Sequence, residues 1–293
     1  MLKILVIGAG RSSSALIRYL LEHSADHKWV VKVADMDIKL AQQKVNNHPN
    51  GKHVQFDIKN TEQRKKEISE VDLVISMLPA NMHLDVAKDC LFFRKNLITA
   101  SYVSKEMEAM HKDVRKAGLL FLNEMGLDPG IDHMSAMKII DQIQEEGGKI
   151  ISFKSYCGGL VAPESNDNPW GYKFSWNPRN VILAGQSTAQ YLDNSKLKFV
   201  PYHKIFAFPE AIKVKGHGFF DAYPNRDSLN YIKQYKLESA QTVVRGTLRQ
   251  HHYCRAWNVL VQLGLTDDSF YIEHADKLTY KEFIRSFLPE KYK

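Results

Sequence analysis

The chain has 293 residues, 44% hydrophobic and 25% charged, a globular composition with more length than one hydrophobic core usually occupies, so two domains are expected. The net charge of +7 is scattered, and "EQRKKE" at 62–67 mixes both signs on a solvated face, which argues against nucleic acid as the partner. Cys90, Cys157 and Cys254 lack C-x-x-C spacing, and no apolar run approaches a membrane span; a disulfide framework, a cysteine zinc site and membrane insertion are excluded, and a reduced, soluble, cytoplasmic protein is expected.

Residues 3–8, "KILVIG", form an apolar run opening on glycine, as a strand buried on both faces of a parallel sheet requires. Next comes "GAGRSSSALIRYLLEHS", in which Ala15, Leu16, Tyr19 and Leu20 recur at helical spacing. The turn between them reads Gly8-x-Gly10-x-x-Ser13 and includes Arg11 and Ser12. Its first two glycines allow backbone N–H groups to approach a pyrophosphate, while serine at the third position bears on helix packing more than on phosphate binding.

A second strand, "WVVKVADMD", carries Asp35 where an acid would meet the adenosine ribose hydroxyls. That carboxylate favours NAD over NADP, whose extra phosphate it would repel. Asp35 or Asp37 could instead cap the helix "IKLAQQKV", and Asp37, which immediately precedes it, is the better cap.

Further strand–helix pairs follow: "HVQFDI" with "TEQRKKEISE", "VDLVISMLP" with "HLDVAKDCLFF", "NLITASYV" with "SKEMEAMHKDVRKAG", and then the strand "LLFLNEM". This alternation predicts an α/β fold built on a doubly wound parallel sheet of Rossmann type. Ligands of such sheets lie beyond the carboxyl ends of the strands. Asp57, Ile58, Leu78, Pro79, Ser101, Tyr102 and the turn "GLDPGIDH" at 126–133 occupy those ends. The turn is therefore expected to border the nicotinamide, with Leu127 and Asp128 lining the cofactor and Pro129 and Gly130 shaping the backbone.

From "IISFKSYCGGLVAPESNDNPWGYKFSWNP" onward the pattern changes to alternating strand character and polar loops. The segments "NEMGLDPGIDHMSAMKIID", "SYCGGLVAPESNDNPWGYKFSW", "AYPNRDSL" and "VVRGTLR", in that order, resemble the saccharopine reductases, the glutamate-forming saccharopine dehydrogenases. The resemblance runs from Met1 to about Gly264. It implies a Rossmann domain at 1–124, a second α/β domain for substrate binding and dimerisation at 125–250, and the beginning of a helical insert at 251–293, truncated relative to the family.

The resemblance also implies an activity: oxidation of the secondary amine of saccharopine with NAD or NADP, giving glutamate and 2-aminoadipate 6-semialdehyde in lysine metabolism, by a homodimer. The alternative is a shortened homologue that binds nucleotide without turnover and has a binding or regulatory role. By family match Arg226, Thr247, Leu248 and Arg249 bind saccharopine together with Ser101 and Tyr102, and Ser175 and Pro129 join the cofactor contacts. A substrate with three carboxylates calls for planar, bidentate cations, which arginine supplies. A turn-fixing bridge from Arg226 to Asp227, or a strand-end ion pair at Arg249, would account for the same residues structurally.

Asp128, Tyr102 and Cys157 match polar family positions near the reacting amine and are the candidate proton-handling groups. Each also has a structural reading: Asp128 as a helix cap, Cys157 as a small buried residue, Tyr102 as packing. His133 is expected to be structural. His251 and His252 have no spaced carboxylate or cysteine partner, so no metal site is expected.

Overall fold

The computed structural model describes residues 1–175 and 178–292, and the chain divides into two compact units, Met1–Ser135 and Ala136–Lys293. The first unit alternates strand and helix throughout. Its strands are β1 (Leu2–Ile7), β2 (Trp29–Asp35), β3 (Gly51–Gln55), β4 (Leu73–Ser76), β5 (Asn96–Thr99) and β6 (Phe121–Leu122). They form one parallel sheet in the order β3-β2-β1-β4-β5-β6. The order reverses beside β1, the switch point at which doubly wound sheets bind dinucleotides.

Helices α1 (Ser14–Glu22), α2 (Ile38–Val45), α3 (Thr61–Ser69), α4 (His83–Phe92), α5 (Lys105–Ala109) and α6 (His111–Lys116) link these strands. Side-chain alternation along β1 explains why both faces of the sheet are covered. Leu5 and Ile7 point into a cluster with Ile68, Val74, Val86 and Leu97, whereas Ile4 and Val6 point into one with Ile17, Leu20, Val31 and Val33. Each such aliphatic side chain contributes ~1.5–3 kcal/mol by leaving water.

Local signals set the helix starts. Asp37 caps α2 by accepting the Lys39 N–H, and Asn60 caps α3 by accepting the Gln63 N–H. The helix expected across "SKEMEAMHKDVRKAG" is two helices that meet at Met110. A backbone ψ of −10° there resets the helix, and Met107 and Val114, one on each piece, are both buried. Strand β6 covers only two residues of "LLFLNEM". Beyond it Glu124 takes a φ of +61°, and the N–H groups of Glu124 and Met125 donate to Ser101 and Thr99 carbonyls.

Helix α7 (Ile131–Glu145) contains the division between the units. The second unit has β7 (Ser152–Cys157), α8 (Pro178–Leu183), β8 (Ala189–Asp193), β9 (Lys196–Val200), β10 (Glu210–Val214), β11 (Gly218–Pro224), α9 (Asn230–Gln234), β12 (Thr242–Gln250), α10 (Tyr253–Gln262) and α11 (Tyr280–Ser286). Its sheet runs β10-β11-β12-β8-β9 with antiparallel pairing, and β7 joins β12 in parallel. Tyr253, Cys254, Trp257 and Val261 of α10 enter the same core as Phe206 and Tyr223. Among the described residues no helix is long and apolar enough to cross a membrane.

Candidate active site

The glycine turn lies at the carboxyl end of β1. Gly8 has φ +107°, and a Cβ there would lie 3.0 Å from the Met77 carbonyl oxygen, so the first glycine is demanded by both conformation and space. A Cβ on Gly10 would meet nothing within 4 Å, which leaves this backbone open to approach by a phosphate. Ser13, in place of the third glycine, is buried and donates from Oγ to the Gly10 carbonyl at 2.9 Å. The turn Arg11–Ser13 winds as a 3-10 segment before α1 begins. Serine is thus accommodated by a tightened first turn, and Arg11 and Ser12 remain exposed.

Asp35 ends β2, and both of its carboxylate oxygens hold backbone. Oδ2 accepts the Ala9 N–H at 2.6 Å and Oδ1 accepts the Asp37 N–H at 2.9 Å. The carboxylate therefore ties the glycine turn to the β2–α2 loop, while Asp37 performs the capping. A carboxylate has about four lone-pair sites, so hydroxyl donors can still be received. Lys44 of α2 reaches the same region, donating to Ser14 Oγ at 2.5 Å.

Asp57 Oδ1 accepts the Lys59 N–H, Ile58 is buried, and Leu78 packs against the core. These three stand after β3 and β4, at the carboxyl edge of the sheet. After β5, the Tyr102 hydroxyl donates to Asp128 Oδ1 at 2.5 Å, the length of a charge-assisted O–H···O⁻ bond. Asp128 thus pairs with the phenol, while the cap-like bond at this turn is made by Asp132, whose Oδ1 accepts the Gly130 N–H at 2.7 Å.

The turn itself is tight. The Gly126 N–H donates to the Pro129 carbonyl, and the Ile131 N–H donates back to the Gly126 carbonyl. Gly130 has φ +148°, and a Cβ there would come within 2.1 Å of the Gly126 carbonyl oxygen. Leu127 is 63% exposed. His133 Nε2 lies 3.2 Å from Glu124 Oε2, and Glu124 Oε1 accepts the Val103 N–H at 3.0 Å. The Glu124 carboxylate thereby links His133 to the loop that carries Tyr102.

Sequence reasoning missed His83. It is 4% exposed at the start of α4, its Nδ1 lies 2.9 Å from Ser76 Oγ, and its Nε2 lies 2.8 Å from Ser101 Oγ and 3.1 Å from Thr99 Oγ1. Desolvation lowers its pKa below the usual histidine value, and the positive end of a helix opposes the charged form as well. The only signal in the sequence was the pair of strand ends in hydroxyls, "VIS" and "LIT".

In the second unit Cys157 stands opposite Thr247 in the β7–β12 register. Arg249, two residues along β12, is 7% exposed and makes no ion pair among the described residues. Its guanidinium carbon lies 4.8 Å from the Tyr172 ring centre and 5.5 Å from that of Tyr253, and Nη1 donates to the Gly159 and Leu248 carbonyls at 3.3 Å. Asp221 is its cross-strand neighbour, but that carboxylate is engaged by His251 Nδ1 and the Cys254 N–H.

Burial pushes the nearby Tyr223 phenol up to about 12, and Tyr253 is also raised, so neither supplies an anion. Arg249 Nε and the Tyr172 hydroxyl are buried without a hydrogen-bond partner among the described residues. The strand-end ion pair considered for Arg249 is therefore not formed among the described residues. Arg226, at φ +55°, lines an open depression of ≈ 520 Å³ with Gln186, Ser187, Thr188, Gln190 and Asp227. Asp227 Oδ1 accepts the Leu229 N–H. Ser175 is exposed. Trp176, the end of the "SYCGG…FSW" motif, lies outside the described residues. No cluster of three potential metal ligands occurs among the described residues.

Residues 4–122 match the saccharopine dehydrogenase NADP binding domain and residues 126–292 the saccharopine dehydrogenase C-terminal domain. Saccharopine dehydrogenase [NADP(+), L-glutamate-forming] of Schizosaccharomyces pombe is 36% identical over 282 residues, covering 95% of this chain and 62% of that protein. Alpha-aminoadipic semialdehyde synthase of Arabidopsis thaliana is 42% identical over 240 residues, 81% of this chain and 23% of the relative. The apo saccharopine dehydrogenase (L-Glu forming) of Saccharomyces cerevisiae superposes with a TM-score of 0.82 at 36% identity, covering 92% of this chain and 60% of that one. The chain thus spans less than two thirds of the length of these relatives.

Proposed function

The chain belongs to the saccharopine dehydrogenase family, and from that premise we propose that it interconverts saccharopine and water with glutamate and 2-aminoadipate 6-semialdehyde, coupled to a nicotinamide dinucleotide. When bound, a nicotinamide dinucleotide would supply the acceptor for the hydride that leaves the lysine-derived ε-carbon beside the secondary amine. The imine so formed takes up water, its C–N bond breaks to release glutamate and the semialdehyde, and one proton is lost overall.

The observation that carries the substrate class is Arg249: a buried guanidinium packed against the rings of Tyr172 and Tyr253, with Nε unsatisfied and no ion pair among the described residues. Leaving one such donor buried costs ~1–3 kcal/mol, a cost that a substrate carboxylate removes. Thr247 and Leu248 adjoin it, and Arg226 serves a second carboxylate. In the first unit, Ser101 and Tyr102 orient the amine-bearing carbon, and Asp128, through its bond to the Tyr102 phenol, holds the proton exchanged with the nitrogen. Cys157 beside Thr247 contributes polarity to the substrate contacts.

The backbone at Gly8, Gly10, Arg11, Ser12 and Ser13 receives the pyrophosphate. Asp57, Ile58, Leu78, Leu127, Pro129 and Ser175 complete the cofactor contacts. Asp35 supports NAD over NADP, since its carboxylate would face the extra phosphate of NADP. The Schizosaccharomyces pombe relative is named for NADP(+), so cofactor choice is where this chain is proposed to differ.

The test is saccharopine-dependent reduction of NAD⁺ and NADP⁺ by the purified chain, beside cofactor affinity. Turnover with NAD⁺ preferred is the expected result. Tight cofactor binding with no saccharopine-dependent turnover would refute the catalytic reading in favour of a nucleotide-binding role.

A further inference from the structure

His83 is a buried imidazole whose two ring nitrogens meet three hydroxyls. Ser76 and Thr99 are the last residues of β4 and β5, and they are register partners in the sheet. The histidine lies against this pair of strand ends, with Nδ1 on Ser76 Oγ and Nε2 on Thr99 Oγ1 and Ser101 Oγ. Ser101 is held twice, because its own N–H donates to Thr99 Oγ1 at 3.1 Å. A small cavity of ≈ 30 Å³ adjoins, lined in part by His83, Thr99, Ser101, Tyr102, Ser104 and Asn123.

Packing alone does not require this arrangement. An aliphatic residue would fill the space without the cost of burying an imidazole, and buried polar groups are tolerated only when fully bonded. A neutral imidazole offers one donor and one acceptor on opposite sides of a rigid ring. It can therefore hold a hydroxyl in one direction while its other nitrogen anchors the ring to the sheet. A serine hydroxyl left to itself samples several rotamers.

We propose that His83 is a positioning residue that acts through Ser101: anchored to the end of β4 by Ser76, it fixes the direction of the Ser101 hydroxyl toward the substrate. This rests on the reading of Ser101 as a saccharopine-binding residue. His83 itself touches no substrate. Its effect is pre-organisation, removing the need to order the Ser101 hydroxyl on binding.

Two conservative replacements separate the two arms of the ring. In His83→Gln the amide reaches the position of Nε2 and keeps the bond toward Ser101, whereas in His83→Asn it reaches only the position of Nδ1 and keeps the bond to Ser76. His83→Asn should raise KM for saccharopine about tenfold, the size of one lost hydrogen bond, leaving KM for the cofactor unchanged. His83→Gln should stay within about threefold of wild type on the same scale. The double variant His83→Asn/Ser101→Ala should be no worse than Ser101→Ala alone.

Additive losses in the double variant, or equal losses in His83→Asn and His83→Gln that track their melting temperatures, would overturn the proposal and leave His83 as a structural residue. A second readout needs no turnover. The Nε2 resonance of His83 in a long-range ¹H–¹⁵N spectrum should move on Ser101→Ala while Nδ1 stays, and an unmoved Nε2 would overturn the proposal by itself. Absence of turnover in the wild-type chain, with Nε2 responding to Ser101→Ala, would sink the assigned reaction and leave the His83–Ser101 link standing.

Discussion

Replacing Asp35 by alanine should affect both the stability of the first unit and its cofactor choice, and the two effects can be read separately. The carboxylate accepts the Ala9 and Asp37 N–H groups at 2.6 and 2.9 Å. Asp37 is exposed, so water replaces that acceptor at little cost. Ala9 is 1% exposed, and its N–H loses a charged acceptor with no route to solvent. A buried donor left unsatisfied costs ~1–3 kcal/mol. Taking about 2 kcal/mol, the unfolding temperature of a unit this size should fall by roughly 6–8 °C. Thermal unfolding of wild type and Asp35→Ala without cofactor measures this term. The ratio of NADP⁺ to NAD⁺ affinity measures the second, and should rise when the repelling charge is gone. An unfolding temperature within about one degree of wild type would refute the latch reasoning, and an unchanged affinity ratio would refute the ribose role.

Gly130→Ala should cost the 126–133 turn at least ~2 kcal/mol, because its Cβ would lie 2.1 Å from a carbonyl oxygen at φ +148°; an unchanged denaturation midpoint would contradict the geometry. Asp128→Ala should lower kcat/KM roughly tenfold or more by removing the acceptor of the Tyr102 phenol, and should hurt more than Cys157→Ser, with neither abolishing turnover; complete loss in folded Cys157→Ser would reverse that ranking. His83 has a folded-state pKa below its ordinary value of 6.5, so in the window below 6.5 the unfolded chain binds more protons than the folded one. Stability due to this group is present above pH 6.5 and is lost as pH falls toward the lower folded value. The difference in unfolding temperature between wild type and His83→Gln should therefore narrow on acidification from pH 7, and a difference independent of pH would contradict a neutral buried imidazole.

How much of this was legible depended on how local each determinant is. The parallel sheet, the glycine turn and the Asp37 cap were readable because a strand buried on both faces, a backbone that must turn without a Cβ and an orphan helix N–H each impose their residue type within a few positions of sequence. The break at Met110 was not readable. "SKEMEAMHKDVRKAG" is a sound helical pattern throughout, and a single backbone angle divides it. Asp35 was legible as a carboxylate at a strand end. Its bond to Ala9, 26 residues away, exists only because β1 and β2 lie side by side.

The sequence by itself determined the family and the alternation of strand and helix that builds the parallel sheet, since these follow from covalent structure and short-range pattern. Only tertiary structure decided which groups satisfy one another. It joined Asp221 to His251, paired Tyr102 with Asp128, and set His83 against three hydroxyls drawn from two strands and the loop after β5. The physical reason is that a buried polar group must find its partner in space, and that partner is chosen by how strands and loops pack, information that no window of neighbouring residues contains.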